Sequence, residues 1–301
     1  MNTQVPELSI VLATTHDWPA VRPTLDAIFA AEAPAAMEVI LCEGSGSGGP
    51  PADGYDSRLR VVSMPGEPVF DLRARGVGLA GGEIVAITED HCLPAPDWPV
   101  ELSAAHRRHP TAVAISGAVT NGSTEDAWDW ANFLMTFAEH MPPMSSSNGG
   151  ARAPSVANGS VKRVAAHIPR SPAPGWFELE LMPSLLSAGK VARDDGPRVA
   201  HIQSHGGRLA TLAAHFHNGG ASSGLRVASP GPRAVFAEGQ RLMRLPGRLT
   251  RELRGALSPR PALTGSAAAG ARVVPIVATA HTAGELVGLL AGPGRSPDLL
   301  D

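Results

Sequence analysis

Four short apolar runs occur with helix-like segments between them over the first ninety residues, and three of the runs close in a polar cluster. The runs are LSIVLAT (Leu8–Thr14), MEVILCE (Met37–Glu43), RLRVVSM (Arg58–Met64) and EIVAIT (Glu83–Thr88). Continuous apolar runs of this length suit strands buried on both faces, and strands separated by helices build a parallel sheet. Between the first two, DWPAVRPTLDAIFAAEA offers Asp17 as a helix N-cap and spaces Val21, Leu25 and Ile28 on one face. DLRARGVGLAGG reads as a short helix closed by glycines, PDWPVELSAAHRRHP as a helix stopped by Pro110, and AVAISGAV as a fifth strand. The expectation is an α/β fold with a mostly parallel central sheet.

In such a sheet, ligands bind beyond the carboxyl ends of the strands. Those ends carry Ala13-Thr14-Thr15, Glu43-Gly44-Ser45 and Glu89-Asp90-His91. One such triplet is the ordinary solvation of a loop. Three on neighbouring strands point to a shared crevice. No Gly-x-Gly-x-x-Gly and no P-loop follows the first strand, which disfavours dinucleotide and P-loop readings. Cys92, His106 and His109 fall one ligand short of a structural zinc site.

Beyond residue 120 the pattern loosens. Residues 124–141 look helical, MPPMSSSNGGARAPS reads as a loop, and GPRVAHIQSHG reads as a short strand followed by a histidine pair. The charge is unevenly placed. Residues 1–225 carry 15 basic against 23 acidic residues, whereas residues 226–272 carry nine Arg against Glu238 and Glu252. This shift sets the expected boundary: a domain over 1–225 and a C-terminal helical appendage over 226–301.

The segment GQRLMRLPGRLTRELRGALSPR spaces Leu242, Leu245, Leu249, Leu253 and Leu257 by three and four among arginines. A basic amphipathic helix interrupted at Pro246 suits anionic lipid headgroups, so residues 233–260 are expected to make peripheral contact with a membrane. Docking on the acidic part of its own chain or on a partner subunit of an oligomer stands beside that reading. The quoted segment lacks Lys and aromatic residues, which argues against nucleic acid. VVPIVATAHTAGELVGLLAG, interrupted by His281 and Glu285, is a poor membrane span but suits an interface. Two cysteines in apolar runs and an N-terminus without a secretory signal place the chain in the cytoplasm, on the inner face of the cell membrane where the tail touches it. The Ala/Arg bias suggests a bacterial source.

The order of these features resembles a family 2 glycosyltransferase, a nucleotide-sugar enzyme of the GT-A fold. The resemblance rests on the Thr-containing first turn, CEGSGSG, ARGVGLAGGEIVAIT, HCLPAPDW, SVANGSVKR, WFELELMPSLLSAGKV and VAH ending at His201. It runs in order over roughly residues 8–205. Aligned on Cys92 and Pro94, the family's Asp-x-Asp falls on Glu89-x-His91 with Asp90 between them.

The resemblance implies a nucleotide-sugar donor, an unknown acceptor and a divalent cation, Mn²⁺ or Mg²⁺, under the departing diphosphate. It implies His91, Asp90 and His201 as metal residues, and Ala13, Thr14, Thr15, Glu43, Arg75, Glu89 and Asp90 as donor-binding residues. Imidazole suits Mn²⁺ and poorly suits Mg²⁺; Asp90 as the ligand, or a charged His91 stabilising the phosphate without metal, stays open. Glu178, with Glu180 as its rival, implies the base of an inverting transfer. Trp128, Trp130 and Trp176 are candidates to stack on an acceptor sugar. The alternative from another class is a catalytically inactive GT-A domain that binds a nucleotide or a partner.

Overall fold

The computed structural model describes residues 5–47, 55–144, 154–165, 187–226, 232–258 and 265–300. They form two compact units, one spanning 1–120 and 142–201, the other 121–141 and 202–300. The helix ending at Arg226 belongs to the second unit.

The first unit is built on an eight-stranded sheet of order β3-β2-β1-β4-β7-β6-β8-β5. In chain order the strands are β1 (Leu8–Thr14), β2 (Met37–Glu43), β3 (Leu59–Ser63), β4 (Ile84–Glu89), β5 (Cys92–Pro94), β6 (Ala112–Asn121), β7 (Gly159–Lys162) and β8 (Lys190–His201). The runs read as buried strands are buried: all seven residues of β1 are, and β1 lies parallel between β2 and β4. β3 extends the parallel half on the far side of β2. The other half is antiparallel, with β7 against β4 and β6, and β5 against β8. The sheet is therefore mixed, with β3, β2, β1 and β4 forming its parallel part.

Helices α1 (Trp18–Ala30), α2 (Val69–Leu79) and α3 (Trp98–Arg108) supply the crossovers. Asp17 is the N-cap residue of α1, although its side chain makes no capping bond. Val21, Thr24, Leu25 and Ile28 form the buried face of that helix, the i, i+3, i+4, i+7 pattern of an amphipathic element. α2 lies so close to β1 that a side chain at Gly76 would collide with Val11. Asn158, fully buried, accepts from Trp98 Nε1 at 2.8 Å and donates to the carbonyls of Ala118 and Pro197 at 2.8 and 2.9 Å. One amide thus ties α3, β6 and β8 together, and satisfied bonds of this kind specify register.

The second unit is helical: α4 (Ala127–Phe137), α5 (Arg208–Arg226), α6 (Pro232–Met243), α7 (Leu245–Leu257) and α8 (Ser266–Ala291). α8 runs unbroken through His281 and Glu285 and is, by length and composition alone, apolar enough to cross a membrane. Glu285 is nevertheless buried with Arg241 Nη2 3.2 Å away, and Gly284 sits where a side chain would collide with the backbone of Phe216 on α5. The helical segment is interrupted beside Pro246, which lies in the first turn of α7 after α6 ends at Met243, as fits proline in a first turn.

Candidate active site

β1, β2 and β4 end on one edge because they run parallel and in register: Thr14 lies beside Glu43, and Ala13 beside Glu89. The remaining contributor arrives from more than a hundred residues away. β8 pairs with β5 so that Cys92 lies opposite His201, and this brings His201 to the turn formed by Asp90 and His91. His91 Nε2 and His201 Nε2 stand 2.9 Å apart. Glu89 Oε2 lies 3.5 Å from His201 Nε2 and 3.7 Å from His91 Nε2. Three potential donor atoms face one another across a small triangle.

The other oxygen of Glu89, Oε1, accepts from Arg73 Nη2 at 2.8 Å, with both residues buried. Oε2 makes no hydrogen bond of ordinary length. Asp90 is engaged on every side. Its Oδ1 lies 2.8 Å from His91 Nδ1, its Oδ2 lies 2.8 Å from His16 Nδ1 and accepts the hydroxyl of Thr14, and its carbonyl accepts from Thr24 Oγ1 at 2.6 Å. Asp90 therefore holds the Nδ1 side of His91, leaving Nε2 turned to Glu89 and His201. That is the arrangement by which an outer carboxylate orients a ligating imidazole.

The charges follow from these contacts. Burial alone would raise both carboxyls. For Glu89, contact with His201 and the charge of Arg73 outweigh burial and hold the group at about 2. Asp90 is likewise held below the ordinary carboxylate range by His16 and His91. Burial works to lower His91, but the bond to Asp90 and the charge of Glu89 raise it. His201 is lowered by its burial. The opposite shifts of the two imidazoles suit a contact in which one Nε2 donates to the other.

Cys92 gives a second donor set, since Glu89, Cys92 and His201 each offer an atom within 4.8 Å of the others. Burial lifts its thiol well above the ordinary range, which leaves the imidazole set the better one.

The other expected residues are placed unequally. Glu43 is buried, and its carboxylate accepts from Ser45 Oγ at 2.6 Å, Ser63 Oγ at 2.8 Å and the Ser47 amide at 3.2 Å. These bonds outweigh burial and lower its pKa. Ala13 packs into the hydrophobic core and Thr15 is half-buried. Arg75 is exposed on α2; the arginine that reaches the strand ends is Arg73. Helical spacing would have found it, because Val69, Leu72, Arg73, Gly76 and Val77 share the buried face. His16 was missed as well, although it follows Thr14-Thr15 directly. Glu178, Glu180 and Trp176 lie outside the described residues. Trp130 belongs to the second unit, where its Nε1 donates to the Thr124 carbonyl at 3.2 Å.

The sequence matches no family model and none of the curated proteins. Solved structures do match. A mannosyltransferase from Pyrobaculum calidifontis, determined with GDP-Man and Mn²⁺, has a TM-score of 0.57 at 17% identity over 96% of this chain and 88% of its own. The fold is GT-A. GalNAc-T7, determined with UDP, GalNAc and Mn²⁺, gives a TM-score of 0.47 at 14% identity over 66% of this chain and 43% of its own. At these identities the likeness speaks for architecture, and the chemistry has to come from the side chains.

Proposed function

We propose that the GT-A unit transfers a sugar from a nucleotide-activated donor, with Glu89, His91 and His201 holding a divalent cation beneath the donor diphosphate. The observation that carries this reading is the triangle of Glu89 Oε2, His91 Nε2 and His201 Nε2, with edges of 2.9, 3.5 and 3.7 Å. Bonds of about 2.0–2.2 Å to one ion would set neighbouring donors roughly 3–3.5 Å apart. The residues fit the group, since Oε2 is a buried oxygen without a hydrogen bond. Two imidazoles and one carboxylate suit Mn²⁺ better than Mg²⁺. When bound, such a cation neutralises the diphosphate as it leaves.

The protein's own groups divide the remaining work. Arg73 balances Glu89 from behind, and Asp90 orients His91 through Nδ1. In an inverting transfer, a carboxylate takes the acceptor hydroxyl proton as the new glycosidic bond forms and the bond to the diphosphate breaks. We assign that base to Glu178 or Glu180 on their place in the sequence. Two free, buried cysteines suit a reducing cytoplasm.

The reading is tested by thermal shift with UDP-, GDP- and dTDP-sugars, with and without Mn²⁺. A donor at a hundred times its dissociation constant stabilises by about 2.7 kcal/mol. No shift with any donor sinks the reading. A non-catalytic nucleotide- or partner-binding domain is favoured by one observation: Asp90 and Glu89 Oε1 are already satisfied by protein groups. Donor binding without hydrolysis or transfer, unchanged in Glu178→Gln and Glu180→Gln, would establish it.

A further inference from the structure

The leucines that suggested lipid contact are used internally. Leu242, Leu245 and Leu289 form a buried cluster, packed by Val235, Leu249 and Leu286. The apolar stripe of α6 and α7 is therefore spent on α8, and what these helices turn outward is different. Phe236 and Met243, seven residues apart on α6, stand 69% and 76% exposed, and Arg233, Arg244, Arg248 and Arg251 along α6 and α7 are exposed as well. Seven residues is about two helical turns, so Phe236 and Met243 lie on one side of α6.

The charge of this face is one-sided. Six arginines between 232 and 258 meet only Glu238 and Glu252. Both acids are occupied, Glu238 by Arg241 and Glu252 by Arg248 at 3.7 Å. Among the described residues, Arg233, Arg244, Arg251 and Arg254 have no acidic partner within ion-pair distance.

α8 adds a second exposed strip. Ile276, Thr279, Ala283, Val287 and Leu290 recur at spacings of three and four on its open side, and Leu290 is 72% exposed. No charge interrupts them. Leu290 lies one turn beyond Leu286, so the strip borders the face that α6 and α7 cover.

We propose that this face of the helical unit docks on an anionic lipid bilayer, with Phe236, Met243, Val287 and Leu290 entering the headgroup boundary and the unpaired arginines of α6 and α7 meeting lipid phosphates. Charge complementarity favours an anionic surface, and the exposed apolar side chains beside the arginines favour a bilayer as that surface. A second copy of the chain would bring the same cationic face against itself, and an uncharged surface would leave the arginines unanswered. Guanidinium groups bind phosphate in a planar fork, and each basic residue near an anionic surface adds binding. The flanking apolar side chains supply the burial that electrostatics alone lacks.

The test is flotation of the full-length protein with vesicles of phosphatidylcholine alone or mixed with phosphatidylglycerol. The wild type floats with the mixed vesicles, not with phosphatidylcholine, and the bound fraction falls as salt rises. Arg244→Glu, Arg251→Glu and Arg254→Glu together weaken partition roughly a hundredfold. Phe236→Ser with Met243→Ser weakens it about tenfold or more. All these positions are exposed, and circular dichroism melts check that the variants fold.

A second measurement uses Met243→Cys carrying an environment-sensitive dye, which labels selectively because Cys42 and Cys92 are buried. Its emission shifts blue on anionic vesicles. Wild type that binds neither vesicle, binds both equally, or dimerises with this face covered overturns the proposal. So do variants that float like wild type, or a dye that stays in water. Neither readout uses a nucleotide sugar, so transferase activity and lipid docking stand or fall separately.

Discussion

Two acidic strand ends lie side by side on one sheet and are treated in opposite ways. Glu43 closes β2 and Glu89 closes β4, with β1 between them. The Glu43 carboxylate is surrounded by uncharged donors, two serine hydroxyls and one amide. Glu89 is faced by a guanidinium and two imidazoles, with one oxygen kept out of any hydrogen bond. Neutral donors satisfy a carboxylate and leave it finished. A cationic and imidazole surround keeps it ionised in a buried place while leaving a lone pair for a further partner. The difference shows which of two chemically similar residues is built for an additional ligand.

Removing Glu89 gives the largest expected effect. Glu89→Ala removes the carboxylate that Arg73 Nη2 reaches at 2.8 Å, and breaking a buried pair from one side costs about 3–5 kcal/mol. Urea unfolding measures this. A loss under about 1 kcal/mol would mean that Arg73 is solvated and that the contrast with Glu43 is not electrostatic.

The histidines sharpen the comparison from another side. His106, buried on α3 with Nε2 2.9 Å from Ser160 Oγ, faces no carboxylate among the described residues; burial, together with the charges of Lys162 and His109, lowers its pKa to about 4. The unfolded chain takes up that proton near pH 6.5, whereas the folded state refuses it until about pH 4. The contribution of His106 is therefore complete above pH 6.5 and is lost as the pH falls toward 4, by about 3 kcal/mol at most. His106→Gln should flatten the stability–pH curve by about one proton across that window. An unchanged slope would show that His106 is hydrated, and it would remove the contrast with His91, whose pKa is raised by Asp90 and Glu89 against its burial.

Asp90→Asn comes next. The amide keeps the shape but weakens the grip on His91 Nδ1, and outer-shell changes of this kind lower metal affinity roughly 10–100-fold. Titrating Mn²⁺ or Co²⁺ into the protein without nucleotide reads this directly. Unchanged affinity would assign Asp90 to holding Thr14 and His16 alone.

The residues of this comparison were unequally legible in the sequence. β1, β2 and β4 announced themselves because each is mostly apolar and ends sharply, so their polar termini were placed correctly with no knowledge of pairing. His201 could be linked to His91 only through resemblance, since the β5–β8 pairing that unites them is nonlocal. Arg73 was passed over for Arg75. An arginine on a buried helix face looks like an error of pattern until its buried partner is known, and Glu89 is sixteen residues away. The tail leucines were legible as an amphipathic stripe. The pattern says that an apolar face needs a cover, and only the packing of α8 identifies that cover as the chain itself.

Glu43→Gln is the smallest expected effect and the closest control. Gln keeps one acceptor oxygen, so one serine bond survives while the amide group meets a hydroxyl or backbone N–H that previously donated to it. Losing a satisfied buried bond costs about 1–2 kcal/mol, and no cation leaves with it. Mn²⁺ affinity should match wild type, while stability falls slightly. If Glu43→Gln weakened Mn²⁺ as strongly as Asp90→Asn, the serine-bound carboxylate would belong to the same charged cluster, and the division between a finished strand end and an open one would fail.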